Sequence, residues 1–374
     1  MDEVHPIVID NGASMMKVGF AGDDSPRATF PTLIGTPIEE LVMLGFGYEH
    51  KKYIGDRAQN SRGILRLECP IERGVVTDWV GMEKIWDHAF STGLNVVPQE
   101  HPVLVTDKFN GPRSNRETMA EILFESFEIP KMYVSDENTL AYICTGRGLS
   151  VNLDVGHGCA SIVPLYNGTT FPAAIHKYDY GGYDVTEYLA KLLNDKGANF
   201  TTTAEMQIVQ EIKEKVCHVS QDYQRDLRSC NPKLTKYELP DTSLIEIGNE
   251  AFMCTEILFN PSLIGSEQPG LHEIVYNAIM KCEIDTRKDF FSNILLSGAT
   301  TLFTGFVERL RTEILNLVPE NMRVRIVADP DRRYSVWIGG SITASLSVFK
   351  SKWITKEEYE ESGASIVHKK FFYI

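Results

Sequence analysis

The chain has 374 residues, with 51 Asp and Glu against 37 Lys and Arg, 43% hydrophobic residues and 24% charged ones, which excludes disorder, collagen and small disulfide scaffolds. That length allows about two or three domains, each able to bury a core. A formal charge of −14 repels phosphate backbones and anionic lipid, so the expectation is no nucleic-acid partner and an attraction for basic partners and divalent cations.

At the N-terminus MDEVHPIVID carries no basic-then-apolar leader, and no run of about 18 apolar residues occurs anywhere, so a cytoplasmic chain without membrane insertion is expected. Strands are predicted at Ile7–Asp10, Val103–Thr106, Met132–Ser135 and Ser150–Asp154, each apolar and followed by polar or glycine-rich residues. Residues 32–69 read as a small, sticky subdomain, punctuated by Gly35, Gly45, Gly47 and Gly55 and carrying Val42, Met43, Leu44 and Phe46. Helical periodicity runs through Met82, Ile85, Trp86 and Phe90, then through Met119, Ile122, Leu123 and Phe127. A further helix opens at Thr203, with Thr202 or Thr203 as its cap and Glu205 in the first turn, and runs toward Cys217. Alternating strands and helices predict an α/β fold. The seven cysteines are scattered and never in CxxC spacing, so neither a disulfide framework nor a zinc site is expected.

One internal echo carries chemistry. Val8-Ile-Asp-Asn-Gly12 followed by Lys17-Val-Gly-Phe20 resembles Asn152-Leu-Asp-Val-Gly-His-Gly158 followed by Ile162-Val-Pro164: an apolar strand, Asp-x-Gly, and a second apolar strand. Glycines let backbone N–H groups approach an anion, and two such loops would clamp a polyphosphate. Asp10 and Asp154 are placed to hold the water shell of Mg²⁺, and Lys17 can reach phosphate oxygens. A third motif, Leu295-Leu-Ser-Gly-Ala-Thr-Thr301, either caps a helix starting near Thr300 or lets a base and ribose approach the backbone.

Over essentially its whole length the chain resembles the actin family. The resemblance rests on Ile9-Asp-Asn-Gly12, Gly19-Phe-Ala-Gly-Asp-Asp24, Pro70-Ile-Glu72, Asn115-Arg-Glu117, Phe200-Thr-Thr-Thr-Ala-Glu205, Ile212-Lys-Glu-Lys215, Tyr334-Ser-Val-Trp-Ile-Gly-Gly-Ser341 and Ser365-Ile-Val-His368. It implies an α/β, two-lobed ATPase fold of duplicated RNase-H-like halves with a central nucleotide cleft, ATP or ADP with Mg²⁺ (Ca²⁺ in its place in vitro), and head-to-tail filaments. Four subdomains are implied: 1–31, 70–144 and 335–374; 32–69; 145–180 and 267–334; and 181–266. Around phosphates and metal it places Asp10, Gly12, Ala13, Ser14, Lys17, Asp154, Gly156 and Gly158; around the adenosine it places Gly182, Lys213, Glu214, Gly298 and Phe303, with Arg333 where actins usually have Lys.

Departures cluster at the chemistry. Ala13-Ser14 stands where actins usually read Ser-Gly, Glu137 where they carry Gln, Ser161 where a His is usual and His157 where an Asp is usual. These make Glu137, Ser161 and His157 the candidate catalytic residues. An ionised Glu137 accepts hydrogen bonds without donating, and its charge opposes a γ-phosphate. Two outcomes stay open: Glu137 is a general base with His157 as counter-charge, or ATP is bound and hydrolysed slowly or not at all. Arg73 stands where actins usually carry a methylated histidine.

Surfaces give mixed expectations. The 38–52 segment aligns with the filament-contact loop of actins by admitting one extra residue, and Phe259–Gly270 fits either the filament plug or a packed Ω-loop. Ile342, Leu346 and Phe349 form an apolar helical stripe matching the cleft where actin-binding proteins dock, interrupted by Thr343, and such a stripe also suits a core. Only Asp2 and Glu3 make the terminus acidic, which argues against myosin contact, and the C-terminus Phe371-Phe-Tyr-Ile374 lacks the usual Cys. The leading expectation is an actin-like filament protein with slowed or altered ATP hydrolysis. Its rivals are a non-polymerising scaffold or capping subunit that uses ATP structurally and, less favoured, a sugar-kinase-like phosphotransferase.

Overall fold

A computed structural model describes residues 4–38, 52–109, 111–229 and 234–370. The strands that position the site are, in chain order, β1 (Ile7–Asp10), β2 (Met15–Phe20), β3 (Ala28–Pro31), β4 (Val103–Asp107), β5 (Lys131–Asp136), β6 (Leu149–Val155), β7 (Ala160–Tyr166), β8 (His176–Tyr178), β9 (Ile294–Ser297), β10 (Ile326–Val327) and β11 (Ile354–Thr355). The helices used below are α1 (Trp79–His88), α2 (Arg113–Glu121), α3 (Glu137–Thr145), α4 (Gly182–Asp195), α5 (Thr203–Val216), α6 (Phe306–Leu317) and α7 (Ser335–Ser345). The backbone divides into two units: Met1–Gly148, Leu165–Thr170 and Asp331–Ile374; and Leu149–Pro164 with Phe171–Pro330.

In the first unit the strand order is β11-β5-β4-β1-β2-β3. Strands β1, β4 and β5 are parallel, while β2 turns back on β1 with Asp10 opposite Lys17. Alternation along β1 explains its two covered faces. Ile7 and Ile9 meet Met82, Ile85 and Trp86 of α1 and Met119 of α2. Val8 points the other way, to Leu140 of α3 and Trp337 of α7. Both tryptophans are fully buried, each a large apolar contribution to its layer.

The second unit repeats the plan. Its order is a short strand at Thr169–Thr170, then β7-β6-β9-β10, with β8 also pairing with β7; β6, β9 and β10 are parallel and β8 is antiparallel to β7. In both units a central strand lies between a hairpin partner and two parallel strands, and it carries an aspartate at or next to its carboxyl end. The core packs Val151, Leu153 and Leu296 against Val185, Leu189 and Leu193 of α4 and Val209 and Ile212 of α5. Helix α5 opens with a capping box: Thr202 Oγ1 accepts from Glu205 N (3.2 Å), and Glu205 Oε2 accepts from Thr202 N (2.7 Å), a device that stabilises by about 1 kcal/mol.

Within the first unit, Ile34–Pro37, Tyr53–Ile54 and Leu65–Glu68 form a three-stranded sheet over a small core of Leu33, Ala58, Leu65 and Leu67. The expected sticky loop with Val42, Met43, Leu44 and Phe46 lies outside the described residues, as do Asp2, Glu3 and Phe371–Ile374.

Two expectations need correction. No α-helix starts near Thr300: Ala299–Leu302 is a single 3-10 turn, and α6 begins only at Phe306, because Gly298 and Gly305 both take positive φ (84° and 85°) and break the backbone on either side. The stripe of Ile342, Leu346 and Phe349 is not one helical face. Helix α7 ends at Ser345, Leu346 turns to extended geometry, and Phe349 is buried against Tyr133 and Trp353. Ile342, Leu346 and Val348 are the exposed apolar side chains there. No helix among the described residues is long and apolar enough to cross a membrane.

Candidate functional site

In the first unit the carboxyl ends of β1, β4 and β5 form one edge, the place where open parallel sheets offer groups to ligands. Asp10 is buried there; Lys17 Nζ donates to its Oδ2 (2.7 Å) and Thr106 Oγ1 to its Oδ1 (3.2 Å). Asn11 is locked in place: its N donates to Thr106 Oγ1 (2.9 Å), its Nδ2 to Thr106 O (2.9 Å), and Trp86 Nε1 donates to its Oδ1 (3.1 Å). The turn that follows closes on itself. A Cβ on Gly12 would lie 2.3 Å from Met15 O, so glycine is demanded by the hairpin as well as by any anion. Thr32 braces the loop, donating from Oγ1 to Gly12 O (2.6 Å) and from N to Ser14 O (3.0 Å). Ala13 packs partly against the core.

Further along the edge, Arg116 Nε donates to Asp107 Oδ2 (2.6 Å), and the Lys108 ammonium pairs with the Glu137 carboxylate. Asp107 and Asp136 are opposite one another in the parallel register, so Lys108 and Glu137 are the next residues along from the two strand ends. Lys108 was no candidate on sequence grounds, yet it supplies a counter-charge to Glu137. Asp136 caps α3, accepting from Thr139 N (2.8 Å). Its Oδ1 is buried without a hydrogen-bond partner, and burial pushes its pKa up to about 6.

That shift has a sign. A folded-state pKa above the unfolded value means that the native state holds the proton longer, so this group's contribution to stability is full below about pH 4 and lost as pH rises through about 6. Asp136→Asn keeps a good N-cap but removes the buried charge. Relative to the parent, the variant should therefore be more stable at pH 7 than at pH 4, by about 1–2 kcal/mol. Urea melts at both pH values measure this, and an equal difference at both would show that the group does not titrate in the fold.

In the second unit Asp154 is buried near the end of β6, and Ser297 Oγ donates to its Oδ1 (2.9 Å) from β9. The loop 156–158 is tied down by its neighbours: Gly182 N donates to Gly156 O (3.0 Å), Tyr183 N to His157 O (2.7 Å) and Thr300 Oγ1 to Gly156 O (2.9 Å). Gly156 N itself donates to Cys159 O (3.0 Å). Gly298 sits where a Cβ would lie 2.3 Å from Val155 O, which joins the third glycine motif to the end of β6. Lys213, 5% exposed, donates to Gly182 O and Thr186 Oγ1 (both 2.9 Å). No carboxylate lies within 4 Å of its ammonium among the described residues, and burial lowers its pKa.

Asp154, Gly156, His157, Gly182, Lys213 and Gly298 thus converge, with Ser297, Thr300 and Thr186 as partners that sequence reasoning missed. The ring of His157 packs edge-on to Tyr183 at 5.7 Å, and Ser161 is buried within β7 opposite Lys177. Outside this convergence, Glu214 is exposed and receives Gln210 Nε2 (3.0 Å). Phe303 packs against the second unit's core, and Arg333 is exposed in the first unit beside Tyr334.

The family model for actin matches residues 1–372. The chain belongs to the actin family. Membership agrees with the mixed α/β architecture of several sheets. Actins generally bind a nucleotide with a divalent cation, associate with themselves and meet actin-binding partners, and they are typically cytoskeletal.

Proposed function

We propose that this actin-family chain binds Mg-ATP and assembles into filaments, with ATP hydrolysis altered from the family pattern. One observation carries the reading: two sheets of the same order each present a buried aspartate followed by a glycine turn. Asp10 and Asp154 are the residues to hold the cation. Mg²⁺ keeps several waters and takes few protein carboxylates, so two aspartates are enough to hold its water shell. Lys17 offsets the charge of Asp10 and has donors for phosphate oxygens. Lys213, a buried cation without a carboxylate, fits a nucleotide's oxygens.

Bound ATP supplies the γ-phosphoryl group and the diphosphate leaving group. Glu137, paired with Lys108, stands at the position where actins carry Gln, a residue type that orients water in phosphoryl transfer; Ser161 and His157 are the other changed positions. The four-subdomain division with a central cleft, the cytoplasmic location and a partner-docking role for the exposed Ile342 and Leu346 belong to the same proposal.

Purified chain given Mg-ATP and salt should scatter light increasingly, with phosphate release following more slowly in the same tube. Scattering without phosphate would place the change in Glu137 and its neighbours on the chemical step alone. Neither signal, with one nucleotide bound per chain, would sink the filament reading in favour of a non-polymerising scaffold or capping subunit.

A further inference from the structure

Three carboxylates on the first unit's edge each have a cation of their own, while Asp136 beside them caps α3. Asp10 has Lys17, Asp107 has Arg116 and Glu137 has Lys108. In the last pair the side chains are only 12% and 7% exposed. This pair lies at the ends of two adjacent parallel strands, held by the register of Asp107 with Asp136. Without Lys108 the Glu137 carboxylate would add a buried, unpaired negative charge to this edge, beside Asp136 and any approaching polyphosphate.

The pair also completes a hydrogen-bonding set. A glutamine amide offers one acceptor oxygen and an N–H₂ donor on a single side chain, whereas a carboxylate offers acceptors only and an ammonium offers donors only. Glu137 and Lys108 together present both.

We propose that Lys108 is a positioning residue for the nucleotide site, its ammonium fixing the Glu137 carboxylate and cancelling its charge so that the pair does together what one neutral amide does alone. This rests on the reading that the edge faces the phosphates of ATP. The charge argument makes the effect specific: removing Lys108 penalises a triphosphate more than a diphosphate, because the extra phosphate brings extra negative charge toward an unscreened carboxylate. A merely structural lysine would weaken both equally.

The test uses the full chain with Mg²⁺ and fluorescent analogues of ATP and ADP, comparing Lys108→Met, Glu137→Gln and the double variant. Lys108→Met should lose at least about tenfold in ATP affinity and less in ADP affinity. Glu137→Gln leaves an unbalanced cation and should hold ATP as tightly as the parent or tighter. The double variant should return to within about threefold of the parent, a strongly non-additive cycle. Should Lys108→Met fail to fold, Lys108→Arg and Glu137→Gln carry the test: the first should keep the ATP-to-ADP preference, the second should raise it. Additive effects, or equal losses for ATP and ADP, overturn the role of Lys108 while leaving nucleotide binding intact. A parent chain that retains no nucleotide overturns the nucleotide reading itself, and this inference with it.

Discussion

Arg309→Ala is expected to destabilise the chain by about 3–5 kcal/mol, because it strands a buried carboxylate. Arg309 projects from α6 into the second unit's core. Its Nη1 and Nη2 each donate to a Glu256 oxygen at 2.9 Å, Nη1 also donates to Ser220 O (2.9 Å) and Nε to Glu313 Oε1 (2.7 Å). The guanidinium lies 4.8 Å from the centre of the Phe259 ring. Both side chains of the bidentate pair are buried, so water cannot replace the lost partner.

Burial already pushes the Glu256 pKa up, with Arg309 opposing it. Removing the arginine raises it further, so the folded variant takes a proton at a pH where the unfolded chain has none. The destabilisation should then be largest near pH 8 and shrink as pH falls toward 5. Arg309→Lys should fall between, since it keeps the charge but not the fork. Denaturant melts across that range measure it. A loss independent of pH would assign the effect to packing on Phe259 instead.

What could be read ahead of the structure follows from how local each signal is. The two hairpins were readable because an apolar strand, Asp-x-Gly and a second strand are contiguous, and the pleat then fixes which residues face the core. The cap at Thr202 was readable because Thr and Glu stand three apart. Lys108 was not, since its meeting with Glu137 depends on the parallel register of β4 with β5, which no local pattern encodes. Ser297 and Thr300 were hidden for the same reason: each reaches its carboxylate or carbonyl across a strand or loop junction. The misreading at Leu346 has another cause: periodicity was extended through a position where backbone dihedrals, not side-chain spacing, decide the path. Of the two roles offered for the glycine motif, the α-helix near Thr300 does not form. The functional departures at Glu137, His157 and Ser161 were visible as residue types, but their consequences depend on neighbours that only the fold supplies.

Gly339→Ala should cost about 3 kcal/mol or more, although alanine ordinarily favours a helix interior by about 1 kcal/mol over glycine. Helix α7 crosses α3 so closely that a Cβ on Gly339 would sit 1.8 Å from Leu140 O and 2.5 Å from its carbonyl carbon. These are backbone atoms, so no rotamer change relieves the clash and the helices must separate. Gly340, one residue on, is the internal control: its Cβ would meet Val8 Cγ1 at 2.7 Å and Leu104 Cδ2 at 3.4 Å, both on side chains that can yield. Gly340→Ala should therefore be milder, and thermal melts of the two variants give the ordering. Equal melting points would mean that the helices do not approach through Gly339.

The same clash bears on chemistry. Leu140 lies one turn into the helix that Glu137 opens and Asp136 caps, so pushing α3 away from α7 displaces the carboxylate that Lys108 holds. Gly339→Ala should then lower the preference for ATP over ADP, as Lys108→Met does, without touching any group at the edge. Combining it with Glu137→Gln should leave the melting point low but remove its effect on nucleotide preference, which separates a displaced helix from a lost charge.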